Sequence, residues 1–426
     1  MAHVADDLKF RLKNASALTV DGVEHPLRLF LTEAGAKQLD RERRFAGGPL
    51  PVGSYAGLSL TFESASVKGK RGAVALRLPQ PTVRVDVPFR LGKKRAAVVS
   101  LRLHSRTSVT AAYEFKPDFS AEIAAKAPAR LLGIATSCTE DTLTLFDKLT
   151  GRVVGVIPVG RFPKGVDVDP VLMLAYVAVS GEDIVEVIDL QQNRSIDRIP
   201  LLSGDRPMEL ALTPDRRELL VVNEGSDTLS VIDPIGLAQT DRIPVGDQPA
   251  SVLVDATGRR AYVFKSLSNS ISVVDLQAGA VVATVNTDPA PHRGQLNRLG
   301  DRLYVIHWDS PQLTVLDTLS LRIVSQVYVG PGASALKTNL DTDRIYLARL
   351  NAPEVEVYDP FSWLPVDSIP VRDDISYMTI DGDANNLGFV VPRRNEIRLL
   401  RVVSQETVAR IDVGEDPCWV SFSVER

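Results

Sequence analysis

The stretch that decides the fold is Pro207–Gly246, which reads PMELALTPDRRELLVVNEGSDTLSVIDPIGLAQTDRIPVG. It contains four strand-sized apolar runs separated by turn residues, at Met208–Leu212, Leu219–Val222, Leu229–Ile232 and Arg242–Val245. The third run ends at Asp233, whose carboxylate can accept hydrogen bonds from the main chain just downstream. The stretch therefore predicts four short strands in succession, with an aspartate marking the end of the third.

That aspartate recurs along the chain, at Asp147, Asp189, Asp233, Asp275, Asp317 and Asp359. Successive members are 42, 44, 42, 42 and 42 residues apart, and one further step of 42 reaches Arg401 in the same strand pattern. Seven copies of a four-stranded unit at this period indicate a seven-bladed β-propeller, in which each blade buries both faces against its neighbours. The aspartates themselves are interpreted as turn residues rather than as calcium ligands or catalytic groups.

The phase of the repeat predicts how the ring closes. The array begins at Leu132–Ser137, which matches the second strand of the four-stranded unit, and ends at Pro417–Ser423, which matches the first. We therefore expect the C-terminal strand to complete the first blade. The two cysteines, Cys138 and Cys418, then fall on neighbouring antiparallel strands, and we predict a disulfide between them. Such a bond persists in an oxidising compartment, which favours an extracytoplasmic location in the periplasm or at the cell surface.

Residues 1–127 lack the period but alternate apolar and polar residues. Runs such as Leu58–Phe62 and Val83–Val87, broken by Gly, Pro and Asp, predict a small β-sandwich. The expected protein is all-β, with a sandwich at 1–127 followed by a propeller at 128–426, closed by the C-terminal strand.

Two stretches resemble known families. The strands LYVIH at Leu303–His307 and TLSVID at Thr228–Asp233 resemble the YVTN-type propeller repeat, over about 300 residues of array. Members of that group include surface-layer and lipoprotein repeats, ligand binders and propellers that carry redox cofactors. The segments GPLPVGSYAGLSLTFESASV (Gly48–Val67) and PTVRVDVPF (Pro81–Phe89) resemble a transthyretin-like domain near the N-terminus of bacterial lipoproteins. This second resemblance implies export, with a lipid anchor on a removed leader.

Composition excludes several function classes. A net charge of −4 without charged blocks gives no general attraction to nucleic acid or anionic membranes. No run approaches the ~18 apolar residues of a spanning helix, and the first residues lack a signal-peptide core. The five histidines and two cysteines show none of the spacings of metal or haem sites, and nucleophile elbows and phosphate loops are also missing. We therefore predict no catalytic residues, no metal and no cofactor.

A basic group of side chains is the candidate ligand site. If the starts of first strands and the ends of second strands lie on one face, blades four to six gather Lys265, His292, Arg293, His307, Trp308 and Arg349. Guanidinium and imidazole groups bind anions and an indole stacks on sugars, so this sector predicts an anion or sugar site. The alternative is an ordinary solvated rim, in which Asp309, Asp373 and Asp374 neutralise these cations and Arg393 and Arg394.

The predicted function is a non-enzymatic binding or assembly scaffold whose propeller face holds an exported protein partner or a small anionic or sugar ligand. One alternative is a periplasmic enzyme or redox-associated subunit with a site at the channel mouth, which an absorbance scan would reveal. Another is a nucleic-acid-binding propeller, less favoured by the charge, whose affinity would fall steeply with salt.

Overall fold

The computed structural model describes residues 7–35, 42–69, 72–128 and 131–423. Two compact units are present. One comprises Met1–Ala127 with Gly151–Val156 and Arg410–Asp412, and the other comprises Pro128–Thr150, Ile157–Ala409 and Val413–Arg426. In the described part of the chain, no helix is both long and apolar enough to span a membrane.

The described residues of the N-terminal region form nine strands: β1 (Lys9–Thr19), β2 (Glu24–Leu29), β3 (Glu33–Gly35), β4 (Ala46–Gly47), β5 (Gly53–Gly69), β6 (Gly72–Ala75), β7 (Thr82–Leu91), β8 (Val99–Leu103) and β9 (Phe119–Ile123). Seven form one sheet in the order β4-β2-β1-β5-β6, with β3 beside β1 and β7 beside β5, and β8 pairs with β9. Phe10, Phe62 and Phe115 form the centre of the core, with ring centroids 5.3–5.9 Å apart. The alternation along β5 therefore buries one set of side chains in an aromatic cluster.

The remaining strands form seven four-stranded blades. Blade 1 contains β10 (Leu132–Ser137), β11 (Thr142–Asp147), β12 (Val153–Pro158) and β37 (Pro417–Phe422). Blade 2 contains β13 (Pro163–Asp169), β14 (Leu174–Val179), β15 (Ile184–Asp189) and β16 (Arg194–Pro200). Blade 3 contains β17 (Pro207–Leu212), β18 (Leu219–Asn223), β19 (Thr228–Asp233) and β20 (Ala238–Pro244). Blade 4 contains β21 (Pro249–Val254), β22 (Arg260–Lys265), β23 (Ser270–Asp275) and β24 (Ala280–Asn286).

Blade 5 contains β25 (Pro291–Leu296), β26 (Arg302–His307), β27 (Gln312–Asp317) and β28 (Arg322–Tyr328). Blade 6 contains β29 (Ala333–Thr338), β30 (Ile345–Arg349), β31 (Glu354–Tyr358) and β32 (Pro365–Pro370). Blade 7 contains β33 (Tyr377–Ile380), β34 (Asn386–Val391), β35 (Glu396–Arg401) and β36 (Thr407–Asp412), with a 3₁₀ turn at Pro392–Arg394. The prediction of a seven-bladed, all-β propeller is confirmed.

The repeated aspartates act as turn residues. The Asp147 carboxylate accepts hydrogen bonds from the amides of Leu149 and Thr150, both at 2.9 Å. Asp189, Asp233, Asp275, Asp317 and Asp359 accept equivalent bonds from amides two or three residues downstream. The local hydrogen bonding thus accounts for the repeated residue.

The first strands surround the central channel. Successive first strands β13, β17, β21, β25, β29 and β33 contact one another, and β37 contacts both β33 and β13. Within blade 1, β37 pairs antiparallel with β10, for example at Gly133↔Phe422 and Ala135↔Val420. The predicted disulfide is present: Cys138 is bonded to Cys418 across 280 residues of sequence, with Cα atoms 6.0 Å apart.

Candidate functional site

Equivalent positions in the first strands of the seven blades form one ring of residues: Gly165, Glu209, Ser251, Arg293, Ala335, Tyr377 and Trp419. Arg293 of blade 5 contacts Glu209 of blade 3, Tyr377 of blade 7 and Trp419 of blade 1. Side chains from blades that are not adjacent can meet in this way only across the axis. The ring therefore lies inside the channel.

The Arg293 guanidinium lies beside two stacked aromatic rings and contacts both. Its central carbon, Cζ, is 4.6 Å from the ring centroid of Tyr377 and 4.8 Å from that of Trp419. Those two rings stack with centroids 3.9 Å apart. Contacts between a guanidinium and aromatic rings at these distances are attractive and restrict the movement of the side chain. Arg293 Nη1 is 3.4 Å from Glu209 Oε2, and its side chain remains 17% exposed.

Glu209 is a buried carboxyl with incomplete hydrogen bonding. Burial raises its pKa to about 7, and the charge of Arg293, the Ser251 hydroxyl and the charge of Lys337 only partly oppose this. Asp167, another acid, raises the pKa further. Glu209 Oε2 and Arg293 Nε are both buried, and within the described residues neither atom makes a hydrogen bond. Unsatisfied buried atoms of this kind are uncommon and are therefore candidates for a functional role.

A second aromatic contact lies on blade 5, just outside the ring. The rings of His292 and Trp308 stack with centroids 3.9 Å apart and an interplanar angle of 14°. His292 is buried, whereas Trp308 is 44% exposed. Burial and then the Arg293 charge lower the pKa of His292 to about 3, so the imidazole is neutral at physiological pH. His292 thus supports an indole that presents area to solvent.

His307 and Lys265, predicted for the same sector, are both buried. His307 Nε2 lies 3.0 Å from Thr314 Oγ1 on the next strand of its own blade, and burial lowers the pKa of the imidazole. Burial also lowers the pKa of Lys265, and the charge of Asp247 opposes that change. Both side chains are therefore enclosed by protein rather than extended into solvent.

The arginines of the sector form ion pairs. Arg349 Nη2 donates to Glu356 Oε1 at 2.8 Å within blade 6. Nε of Arg393 lies 3.5 Å from Oδ2 of Asp374, and Nε of Arg394 lies 2.8 Å from Oδ1 of Asp373. The neutralisation considered as an alternative from sequence is thus present for Arg393 and Arg394. An anion or sugar site built from the whole predicted sector stays a prediction.

Of the residues that meet here, Arg293 was predicted from sequence, whereas Glu209, Tyr377 and Trp419 were not. A signal was available, since Glu209, Arg293 and Tyr377 are separated by two periods of 42 residues each and Trp419 by one more. Comparing residues one period apart in successive first strands would have shown a glutamate, an arginine and two aromatic residues at one ring position. Among the described residues, no group of three or more His, Cys, Asp or Glu side chains is arranged to hold a metal ion.

No family model matches this chain, and no curated protein matches it. Several solved structures are similar in fold. Hydrazine synthase of Kuenenia stuttgartiensis is 20% identical, with a TM-score of 0.54 over 60% of this chain and 87% of its own. The dihydro-heme d1 dehydrogenase NirN, in complex with DHE, is 14% identical, with a TM-score of 0.56 over 70% of this chain and 76% of its own.

A protein of unknown function from Desulfotomaculum acetoxidans is 13% identical, with a TM-score of 0.60 over 69% of this chain and 99% of its own. At these identities the similarities establish the seven-bladed propeller fold, and the chemistry of the site has to be argued from this chain's own residues.

Proposed function

We propose that the protein is an extracytoplasmic binding scaffold that holds its ligand or partner at the mouth of the propeller channel, around Arg293. The observation that carries this proposal is the ring contact itself. A guanidinium is held against Tyr377 and Trp419, is partly accessible, and has a loosely paired carboxyl, Glu209, as its only ionic partner among the described contacts. Channel mouths are where propellers have convergent side chains on a rigid frame.

The location in an oxidising compartment is supported by the disulfide between Cys138 and Cys418. The remaining features proposed from sequence are consistent with it: a transthyretin-like sandwich in the N-terminal region, YVTN-type repeats, and closure of the ring by β37. In this proposal the N-terminal region displays or docks the propeller, and the propeller performs the binding.

The indole of Trp308 gives the same face an apolar contact area. Because the buried His292 ring holds it by stacking, little side-chain entropy is lost when a partner covers it. Partly exposed aromatic residues with fixed orientation are common anchors of binding sites. Trp308 is therefore proposed as an accessory contact outside the channel.

The test uses the full chain, matured with its disulfide, and three variants. Arg293→Met removes the charge but keeps an apolar stem, Trp308→Ala removes the indole, and Arg322→Ala removes an exposed arginine of the same blade as a matched control. A panel of small carboxylates, phosphates and neutral saccharides is screened by isothermal titration, and proteins are captured from an extracytoplasmic extract. We expect a ligand or partner bound by wild type and Arg322→Ala and lost in Arg293→Met; binding that survives in a folded Arg293→Met would contradict the proposal.

A further inference from the structure

We propose that the site around Arg293 binds the carboxylate of a small organic acid, which replaces Glu209 as the partner of the guanidinium. This inference rests on the proposed function and specifies its ligand class. Glu209 then serves as an internal substitute that occupies the site when no ligand is bound. Three features support it: the geometry of the ion pair, the aromatic platform formed by Tyr377 and Trp419, and the charges of the ring.

The ion pair does not satisfy all the N–H donors of the Arg293 guanidinium. Arg293 Nη1 and Glu209 Oε2 are 3.4 Å apart, longer than the ~2.7–2.9 Å of a charge-assisted hydrogen bond. Nε of Arg293 is buried and has no hydrogen-bond acceptor within the described residues. A guanidinium offers adjacent N–H donors that match the two oxygens of a carboxylate. A free carboxylate can adopt this paired geometry, whereas Glu209 is held by its own strand.

The aromatic platform limits how the guanidinium can move. With the centroids of Tyr377 and Trp419 both less than 5 Å from its central carbon, the group is packed against the stacked pair. Neither ring accepts a conventional hydrogen bond, so the N–H donors of the guanidinium are satisfied only by oxygen acceptors such as those of Glu209 or of a ligand. Because the platform already orients the donors, a small carboxylate would bind without the cost of ordering a flexible arginine.

Three charged groups and one hydroxyl, on four other first strands, act on the Glu209 carboxyl. Asp167 on β13 is acidic, Arg293 on β25 and Lys337 on β29 are basic, and Ser251 on β21 contributes a hydroxyl. When Glu209 is neutral, two basic groups face one acid, and the excess charge of one cation favours a single carboxylate. When Glu209 is ionised, the set is balanced and a second anion is disfavoured.

Binding should therefore be accompanied by proton uptake. A bound carboxylate takes the place of the Glu209 carboxylate beside Arg293, and Glu209 accepts a proton from solvent, so charge is conserved in the ring. The pKa of Glu209, raised by burial to about 7, places this exchange near neutral pH. His292 does not contribute to the measured proton uptake, because its lowered pKa of about 3 keeps the imidazole neutral from pH 6 to pH 8.

The experiment is isothermal titration of the full-length disulfide-bonded protein with sodium acetate, and with inorganic phosphate as the competing anion. Titrations are made at pH 6, 7 and 8, each in two buffers of different protonation enthalpy, which gives the number of protons taken up. We expect acetate affinity to fall between pH 6 and pH 8, approaching tenfold per pH unit above the pKa of Glu209, with close to one proton taken up at pH 8.

Glu209→Gln is the decisive variant. It keeps the side chain's size and removes the proton exchange, so acetate should bind with little pH dependence and no linked proton. Arg293→Met should abolish binding, and Arg322→Ala should leave it unchanged. If Glu209→Gln does not fold, as judged by circular dichroism, the proton count in wild type alone decides the matter.

Three results overturn the inference: no saturable acetate binding by wild type at pH 6, binding of phosphate but not acetate, or a pH dependence that persists in folded Glu209→Gln. They are distinguishable from failure of the proposed function. If another ligand or a protein partner is lost in Arg293→Met while acetate does not bind, the channel-mouth site stands and only the carboxylate assignment is wrong. If Arg293→Met alters no binding at all, both are wrong.

Discussion

Replacing Glu209 with glutamine should change the pH dependence of folding stability in a defined direction. The ordinary pKa of the carboxyl is 4.5, and burial in the ring raises it to about 7. A difference of about 2.5 between two pKa values corresponds to about 3 kcal/mol, an order-of-magnitude figure. Because the Glu209 carboxyl holds its proton more tightly in the folded state than in the unfolded state, protonation stabilises the fold by about this amount, and the stabilisation is fully present below pH 4.5. It is lost as the pH rises through 7.

The measurement is the free energy of unfolding in urea at pH 4.5, 5.5, 6.5, 7.5 and 8.5 for wild type and Glu209→Gln. The difference between the two proteins should change by about 3 kcal/mol across this range, with wild type losing stability relative to the variant as pH rises. Glu406→Gln, which alters an exposed carboxyl, is the matched control and should run parallel to wild type. Parallel curves for wild type and a folded Glu209→Gln would refute the environment derived for Glu209.

The remaining predictions concern acid stability, the disulfide and domain autonomy. His292, whose pKa is lowered from 6.5 to about 3, binds a proton more readily when unfolded, so wild type should lose stability as pH falls from 6.5 towards 3 while His292→Gln loses less; equal acid sensitivity in urea titrations contradicts this. Replacing Cys138 and Cys418 with alanine, or reducing wild type, should destabilise the protein by about 5 kcal/mol on the chain-entropy model, and an unchanged urea midpoint would count against it. Residues 131–426 expressed alone should unfold cooperatively as a β-rich domain, and an aggregated product would disprove an autonomous propeller.

The architecture was accessible from sequence because its determinants are local and repeated. The aspartate at the end of each third strand makes hydrogen bonds within its own turn, so its spacing reports the repeat directly. The pairing of Cys138 with Cys418 followed from strand order alone, since antiparallel neighbours place their residues within disulfide distance. Neither inference required knowledge of side-chain direction across the ring.

The candidate site was harder to predict because it depends on where strand-end side chains point. The second strands of blades 4, 5 and 6 end at Lys265, His307 and Arg349. From sequence we expected these three side chains on a solvent-facing rim of the propeller. In the structure His307 lies against Thr314, and Arg349 pairs with Glu356, both on the third strand of the same blade. Both are diagonal contacts across antiparallel strands, since the residues two positions before His307 and Arg349 stand opposite Thr314 and Glu356. Composition and period do not reveal whether a strand-end side chain makes such a contact or extends into solvent.

The position of Arg293 shows why the channel contacts escape a search based on sequence neighbours. Its partners Glu209 and Tyr377 lie two blades away on either side, 84 residues distant in each direction, and no adjacent strand links them. Such contacts exist only because the ring is narrow enough for side chains to reach across its axis. A ligand that binds Arg293 must therefore exchange with an existing contact rather than enter an empty channel. That requirement makes the loosely held Glu209, rather than the aromatic platform, the group that ligand binding would displace.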